Sequence, residues 1–113
     1  MPKDSAVVLD MIRAARLTCD FSAGLTKDAF VTDVKTQSAV LHQLLVLGEA
    51  AKRISGSFRG EHPEIEWKPI AGMRDKVIHD YDDVDVDQVW QTVTNDLPAL
   101  LVKLRALGIP ESK

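Results

Sequence analysis

Apolar residues recur at helical spacing in four long stretches, and no stretch alternates with a period of two. The first predicts a helix from about Asp4 or Ser5 to Phe21, with Val8, Met11, Ile12, Ala15 and Cys19 on one stripe. Asp4 and Ser5 are both good N-caps. Arg13 and Arg16 fall on other faces. Gly24 breaks the chain, and Thr26 is placed to cap a short turn over Lys27 to Phe30. A long helix is expected over about Thr32 to Ser55. One of its stripes reads Val34, Ser38, Leu41, Leu45 and Gly48; a second reads Val40, Leu44, Leu47, Ala51 and Ile54. Two stripes on one helix predict a central element with partners on two sides. Glycine is costly inside a helix, so Gly48 marks a place where another helix comes close.

Gly56 to Pro63 holds Gly56, Gly60 and Pro63 without periodicity and is expected to be the main loop. A further helix is predicted from about Lys68 to His79 or Asp80, with Pro69 in its first turn, where a missing N–H costs nothing. The last begins near Asp85 and runs to about Leu107 on the stripe Val86, Val89, Trp90, Val93, Leu97, Leu100, Leu101 and Leu104. Pro98 lies inside that stripe and should kink the helix; Gly108 and Pro110 end it. The expected fold is all-α: an antiparallel four-helix bundle with a short extra helix. All 113 residues are expected to form one domain, burying about 65% of the unfolded chain's surface.

Composition narrows the function. The formal net charge is −3, whereas a protein coating nucleic acid non-specifically would be basic. Any contact with RNA must therefore be local. The lone cysteine, Cys19, rules out an internal disulfide and fits a reducing compartment; on its apolar stripe it reads as a buried, inert thiol. The first residues show no basic stretch followed by an apolar run, so no signal peptide is expected. The longest apolar run, Leu44 to Leu47, is far too short to span a bilayer. The expected compartment is the cytoplasm, with no membrane partner.

The chemistry concentrates in Met73-Arg74-Asp75-Lys76-Val77-Ile78-His79-Asp80-Tyr81. RNA is cut without a metal when its own 2′-OH attacks the adjacent phosphate. That reaction needs a base, an acid and a cation. Histidine titrates in the useful range, and arginine forks onto phosphate oxygens. Geometry adds a constraint: on an ideal helix Arg74 and His79 lie about 140° apart, while Arg74 and Tyr81 nearly align. Either the helix ends near His79, or a second subunit completes the site. Gly72 and Asp75 share the His79 face, and Gly72 would admit another helix there. Taken singly, Arg74 also suits a pair with a helix-face acid, His79 a helix C-terminus, and Tyr81 a ring at the core edge.

The spacing Arg74-x4-His79-x-Tyr81 is the signature of the HEPN superfamily. The chain most resembles the HepT-like toxins encoded beside a minimal nucleotidyltransferase. Ala39-Val40-Leu41-His42 leading to Leu47-Gly48-Glu49-Ala50-Ala51-Lys52, then His62-Pro63-Glu64-Ile65-Glu66-Trp67 and Ile70-Ala71-Gly72-Met73-Arg74-Asp75, carry the resemblance. It extends from Phe30 to Leu101. It implies a homodimer with two motifs facing across the interface, and metal-independent endoribonuclease activity without a cofactor. It implies that Arg74 stabilises the phosphorane, that His79 acts as acid or base, and that Tyr81 accepts AMP from the cognate nucleotidyltransferase, which silences the toxin. A rival expectation keeps the fold and the dimer but not the cleavage: a silent helical adaptor that regulates the nucleotidyltransferase.

Other polar residues point less far. Asp80, Asp82, Asp83, Asp85 and Asp87 crowd around Tyr81. They read as capping and dipole pairing at the last helix, or as a docking surface for a basic partner or its Mg²⁺. They also set negative charge beside the proposed RNA site. A calcium loop is excluded, because the sixth position from Asp83 is Gln88 and the twelfth is Thr94. His42 reads as a helix-face or interface residue, and His62 as a loop residue beside Pro63. No His/Cys set has zinc spacing. Glu49 is expected to pair with Lys52 and Arg53 on its own helix.

Overall fold

A computed structural model describes residues 2–80 and 84–111. Tyr81, Asp82 and Asp83 lie outside the described residues. Every regular element among them is helical: α1 (Pro2–Ser22), α2 (Lys27–Thr32), α3 (Val34–Lys52), α4 (Gly56–Glu61), α5 (Trp67–Asp80), α6 (Val86–Gln91), a π-helical segment (Thr92–Asp96) and α7 (Leu97–Arg105). The all-α bundle expected from periodicity is present.

α3 is the central element, packed on one side by α1 and on the other by α5, while α1 also packs on α7. Side-chain contacts fix the directions. Asp10 reaches Arg53 and Asp4 reaches Ser55, while Arg74 packs at Gly48 and Val77 and Ile78 share a recess with Leu41 and His42, so both neighbours run antiparallel to α3. The second α3 stripe is wholly inside: Val40, Leu44, Leu47, Ala51 and Ile54 are all buried. The first stripe is covered only toward its C-terminal end, where Leu41 and Gly48 are buried, while Val34 is 70% exposed.

Several boundaries move for identifiable reasons. Asp33 caps the long helix, accepting from the Thr36 amide at 3.0 Å and the Thr36 hydroxyl at 2.6 Å, so α3 starts at Val34 and α2 extends to Thr32. Thr26 caps α2 as expected, accepting from the Ala29 amide at 3.1 Å. Asp4 does not cap α1, which already begins at Pro2. It is buried and accepts from the Ser55 amide at 2.9 Å and the Ser55 hydroxyl at 2.6 Å. Those bonds hold its carboxyl below the usual carboxylate range.

The expected loop after α3 contains a helix. Ser55 accepts from the Phe58 amide at 3.2 Å and so caps α4. Phe58 stacks on His62 and Trp67, with ring centroids 4.5 and 5.9 Å away. The glycines Gly56 and Gly60 hid this helix, but a cap and the half-buried Phe58 ring hold its six residues in place. The last predicted helix is continuous in sequence but not in pitch. Pro98 has no N–H, and its ring would strike the carbonyl four residues back. The π-helical segment just before it absorbs the conflict: the Leu97 amide bonds to the Thr92 carbonyl, five residues back. Gly108, at φ 77°, turns the chain out of α7.

Candidate active site on helices α3 and α5

Gly48 is where the site is built. A Cβ placed on it would lie 2.6 Å from the Arg74 amide nitrogen and 2.8 Å from the Arg74 Cβ. Only glycine lets α5 settle this closely on α3, as its place in the stripe predicted. The residue brought closest is Arg74 itself.

Around that contact the two helices interleave charges. The Arg74 Nε donates to Glu49 in a short hydrogen bond, and its Nη1 donates to Asp75 at 3.0 Å. Lys52 donates to Asp75 at 3.1 Å. Hydrogen bonds to Glu49 and then Asp75 raise the Arg74 pKa further above its already high value. Those from Lys52 and then Arg74 lower that of Asp75. A guanidinium carries five N–H donors, so among the described residues two are committed and three remain, all on the terminal nitrogens. The side chain is half-buried.

Glu49 is therefore not the partner of Lys52 and Arg53. Lys52 turns to Asp75, and Arg53 pairs with Asp10 at 3.2 Å. The sequence reading missed Glu49 as the holder of Arg74. The signal was its place directly after Gly48, the residue predicted to mark a close helix crossing.

His79 stands in the last turn of α5 and is exposed. No hydrogen bond joins it to Arg74, whose bonds run to Glu49 and Asp75. α5 stays helical through both residues, so the two side chains leave the helix in different directions. The single chain does not bring them to one point. Tyr81, the proposed modification site, lies outside the described residues. Of its acidic neighbours, Asp85 caps α6 by accepting from the Gln88 amide at 3.1 Å, and Asp87 pairs with Lys27 at 3.2 Å. Asp85 takes the capping role expected of it; Asp87 stands in the first turn of α6, and its partner on α2 was not expected.

Gly72 is exposed, and a Cβ there would meet nothing within 4 Å. It borders an apolar groove of about 470 Å³ between α3, α5 and α6, lined by residues including Leu41, Met73, Val77 and Val89. Neither Arg74 nor His79 lines this groove. His42 is exposed and borders a smaller recess with Val77 and Ile78. Cys19 is half-buried rather than buried as its stripe predicted, and burial pushes its thiol pKa up. Among the described residues no helix is long and apolar enough to cross a membrane. No group of three or more His, Cys, Asp or Glu among them is arranged to hold a metal ion.

Comparison with known proteins gives one consistent answer. The family model described as "Ribonuclease HepT-like" matches residues 11–107. The "Probable ribonuclease HepT" of Thermococcus cleftensis is 43% identical over 98 residues, covering 87% of this chain and 89% of that protein. A "Putative RNase" of Methanocaldococcus jannaschii is 37% identical over 100 residues, covering 87% and 83%. A protein of that same description from Caldanaerobacter subterraneus subsp. tengcongensis is 39% identical over 77 residues, covering 68% and 69%. No solved structure matches significantly. With nearly its whole length matched and relatives of this similarity, the chain belongs to the HepT-like ribonuclease family of the HEPN superfamily.

Proposed function

We propose that the chain is a metal-independent endoribonuclease that acts as a homodimer and serves as the toxin of a two-gene module. One observation carries the reading. Arg74 is seated on Gly48 by its backbone and gripped by Glu49 and Asp75, with three donors left for a phosphate. It shares a helix with the exposed imidazole of His79. The ribonuclease names of the relatives support the same reading.

In the proposed reaction a histidine accepts the proton of an RNA 2′-OH. The freed oxygen attacks the adjacent phosphorus and forms the phosphorane. The terminal N–H groups of Arg74 bear its added charge. The P–O5′ bond then breaks, and the departing 5′-oxygen takes a proton. The products are a 2′,3′-cyclic phosphate and a 5′-hydroxyl, and no water is consumed. In-line attack sets the 2′-oxygen and the leaving 5′-oxygen on opposite sides of the phosphorus, so one imidazole serves one of them and the second copy is proposed to supply the other. Tyr81 is the proposed acceptor of AMP from a cognate minimal nucleotidyltransferase. An added phosphate near Arg74 would compete for its free donors.

The silent-adaptor reading draws on the aspartates around Tyr81 and the net charge of −3, and on the carboxylates of Glu49 and Asp75 that pair with Arg74. One experiment separates the two. The chain is expressed alone beside Arg74→Ala and His79→Ala. The nuclease reading expects growth arrest and RNA decay that both substitutions abolish, with cyclic phosphate at the cut ends. Soluble expression without toxicity or cleavage would favour the adaptor. Co-expression with the neighbouring nucleotidyltransferase should add AMP mass to Tyr81; suppression of toxicity with Tyr81 unmodified would overturn that part.

A further inference from the structure

A chain of net charge −3 can hold an RNA strand only where a cation stands clear of carboxylate partners. The seam between α1 and α3 holds a groove of about 270 Å³ rimmed by two arginines, Arg13 and Arg53, two acids, Asp10 and Glu49, and Gln43. Its apolar surface comes from Ala14, Leu45 and Val46. Two rim acids are already engaged: Asp10 by Arg53 at 3.2 Å, and Glu49 by Arg74. Arg13 is exposed and has no carboxylate at ion-pair distance among the described residues.

Position gives the groove its meaning. Glu49 is at once a wall of the groove and the holder of Arg74. The groove therefore opens within one side chain of the guanidinium assigned to the scissile phosphate. Its composition suits one nucleotide. The apolar floor offers contact to the face of a base. The Gln43 amide has a donor and an acceptor for a base edge. Arg13 supplies either a phosphate contact or a plane on which a base can stack.

We propose that this groove is a nucleotide subsite that seats the RNA residue flanking the scissile phosphate, with Arg13 as its principal cation. The proposal rests on the nuclease reading of Arg74, and the test keeps the two apart by measuring binding without cleavage. A fluorescein-labelled RNA octanucleotide carrying 2′-O-methyl groups throughout has no attacking hydroxyl. Its affinity for the full chain is followed by anisotropy across a salt series. Arg13→Ala should weaken binding roughly 5-fold or more and lower the salt slope by about 0.7, the single-strand value for one lost phosphate contact. Arg13→Lys should restore the slope. Lys103→Ala removes an exposed cation on α7 that does not line the groove, and should change neither quantity. If Arg13→Ala matches Lys103→Ala while Arg74→Ala weakens binding, the subsite is overturned and the nuclease reading stands. If Arg74→Ala also has no effect, or the octanucleotide does not bind the unaltered chain, both fall. Circular dichroism of each variant confirms that the fold is retained.

Discussion

At the scale of single residues, two neighbours on α3 decide what Arg74 can do. Gly48 admits the α5 backbone, and Glu49 fixes the guanidinium. Gly48→Ala sets two effects against each other. Alanine gains about 1 kcal/mol of helix propensity over glycine. The new methyl, however, would press on backbone rather than on a yielding side-chain tip, and overpacking of that kind costs about 1–3 kcal/mol. The expected net result is destabilisation in urea unfolding, with a disproportionate loss of cleavage because Arg74 moves with its helix. Gly72→Ala is the internal contrast: with open space around it, the monomer should gain up to about 1 kcal/mol. Glu49→Ala tests positioning. It should lower kcat roughly 10- to 100-fold, the usual cost of a misplaced catalytic group, with a smaller change in KM, and Glu49→Gln should recover most of the loss through its amide oxygen. A rise in RNA affinity and activity in Glu49→Ala would mean that Glu49 masks Arg74 instead.

At the scale of elements, periodicity read the long helices well and the joints poorly. Stripes on α1 and α3 named core residues such as Val8, Met11, Val40 and Leu47, all fully buried, because one helix face must be apolar whatever packs on it. The joints depend on single side chains whose partners are remote in sequence. Asp4 is an acceptable N-cap by type, yet it serves Ser55 across the bundle. Ser55 in turn starts α4, which two glycines disguised as loop. Glu49 misled in the same way: local spacing offered it Lys52 and Arg53, and only the α3–α5 crossing offered it Arg74. The Asp4–Ser55 link yields a pH prediction. Its carboxyl is held below the ordinary value of 3.8 by the Ser55 hydroxyl and amide. A depressed carboxylate stabilises the fold above its ordinary pKa and loses that contribution as pH falls through the folded value. Asp4→Asn should therefore lower the melting temperature at pH 7, and the gap to the unaltered chain should narrow below about pH 4. A gap unchanged at pH 2.5 in circular-dichroism melts would show that Asp4 acts by packing alone.

At the scale of the whole molecule, the proposed chemistry requires more surface than one chain supplies. Arg74 turns toward α3 while His79 faces solvent, and neither lines the grooves described above among the described residues. The same side of the bundle carries apolar residues without partners: Val34 at 70% exposure and Ile78 at 48%. Val34 on α3 and Ile78 on α5 border recesses that share Ser38 and Leu41. This is the uncovered part of the first α3 stripe, and a helix designed only for its own bundle would carry polar residues there. A second copy laid against it would hide these side chains and bring the mate's α5 toward the exposed imidazole. Introducing charge on that face should separate the pair while leaving the core intact. Ile78→Asp and Val34→Glu are expected to sediment as species of 12.5 kDa rather than twice that mass, with helical content unchanged and cleavage abolished. Full cleavage by a variant that sediments as a monomer would show that a single His79 suffices, and the two-fold site would have to be given up.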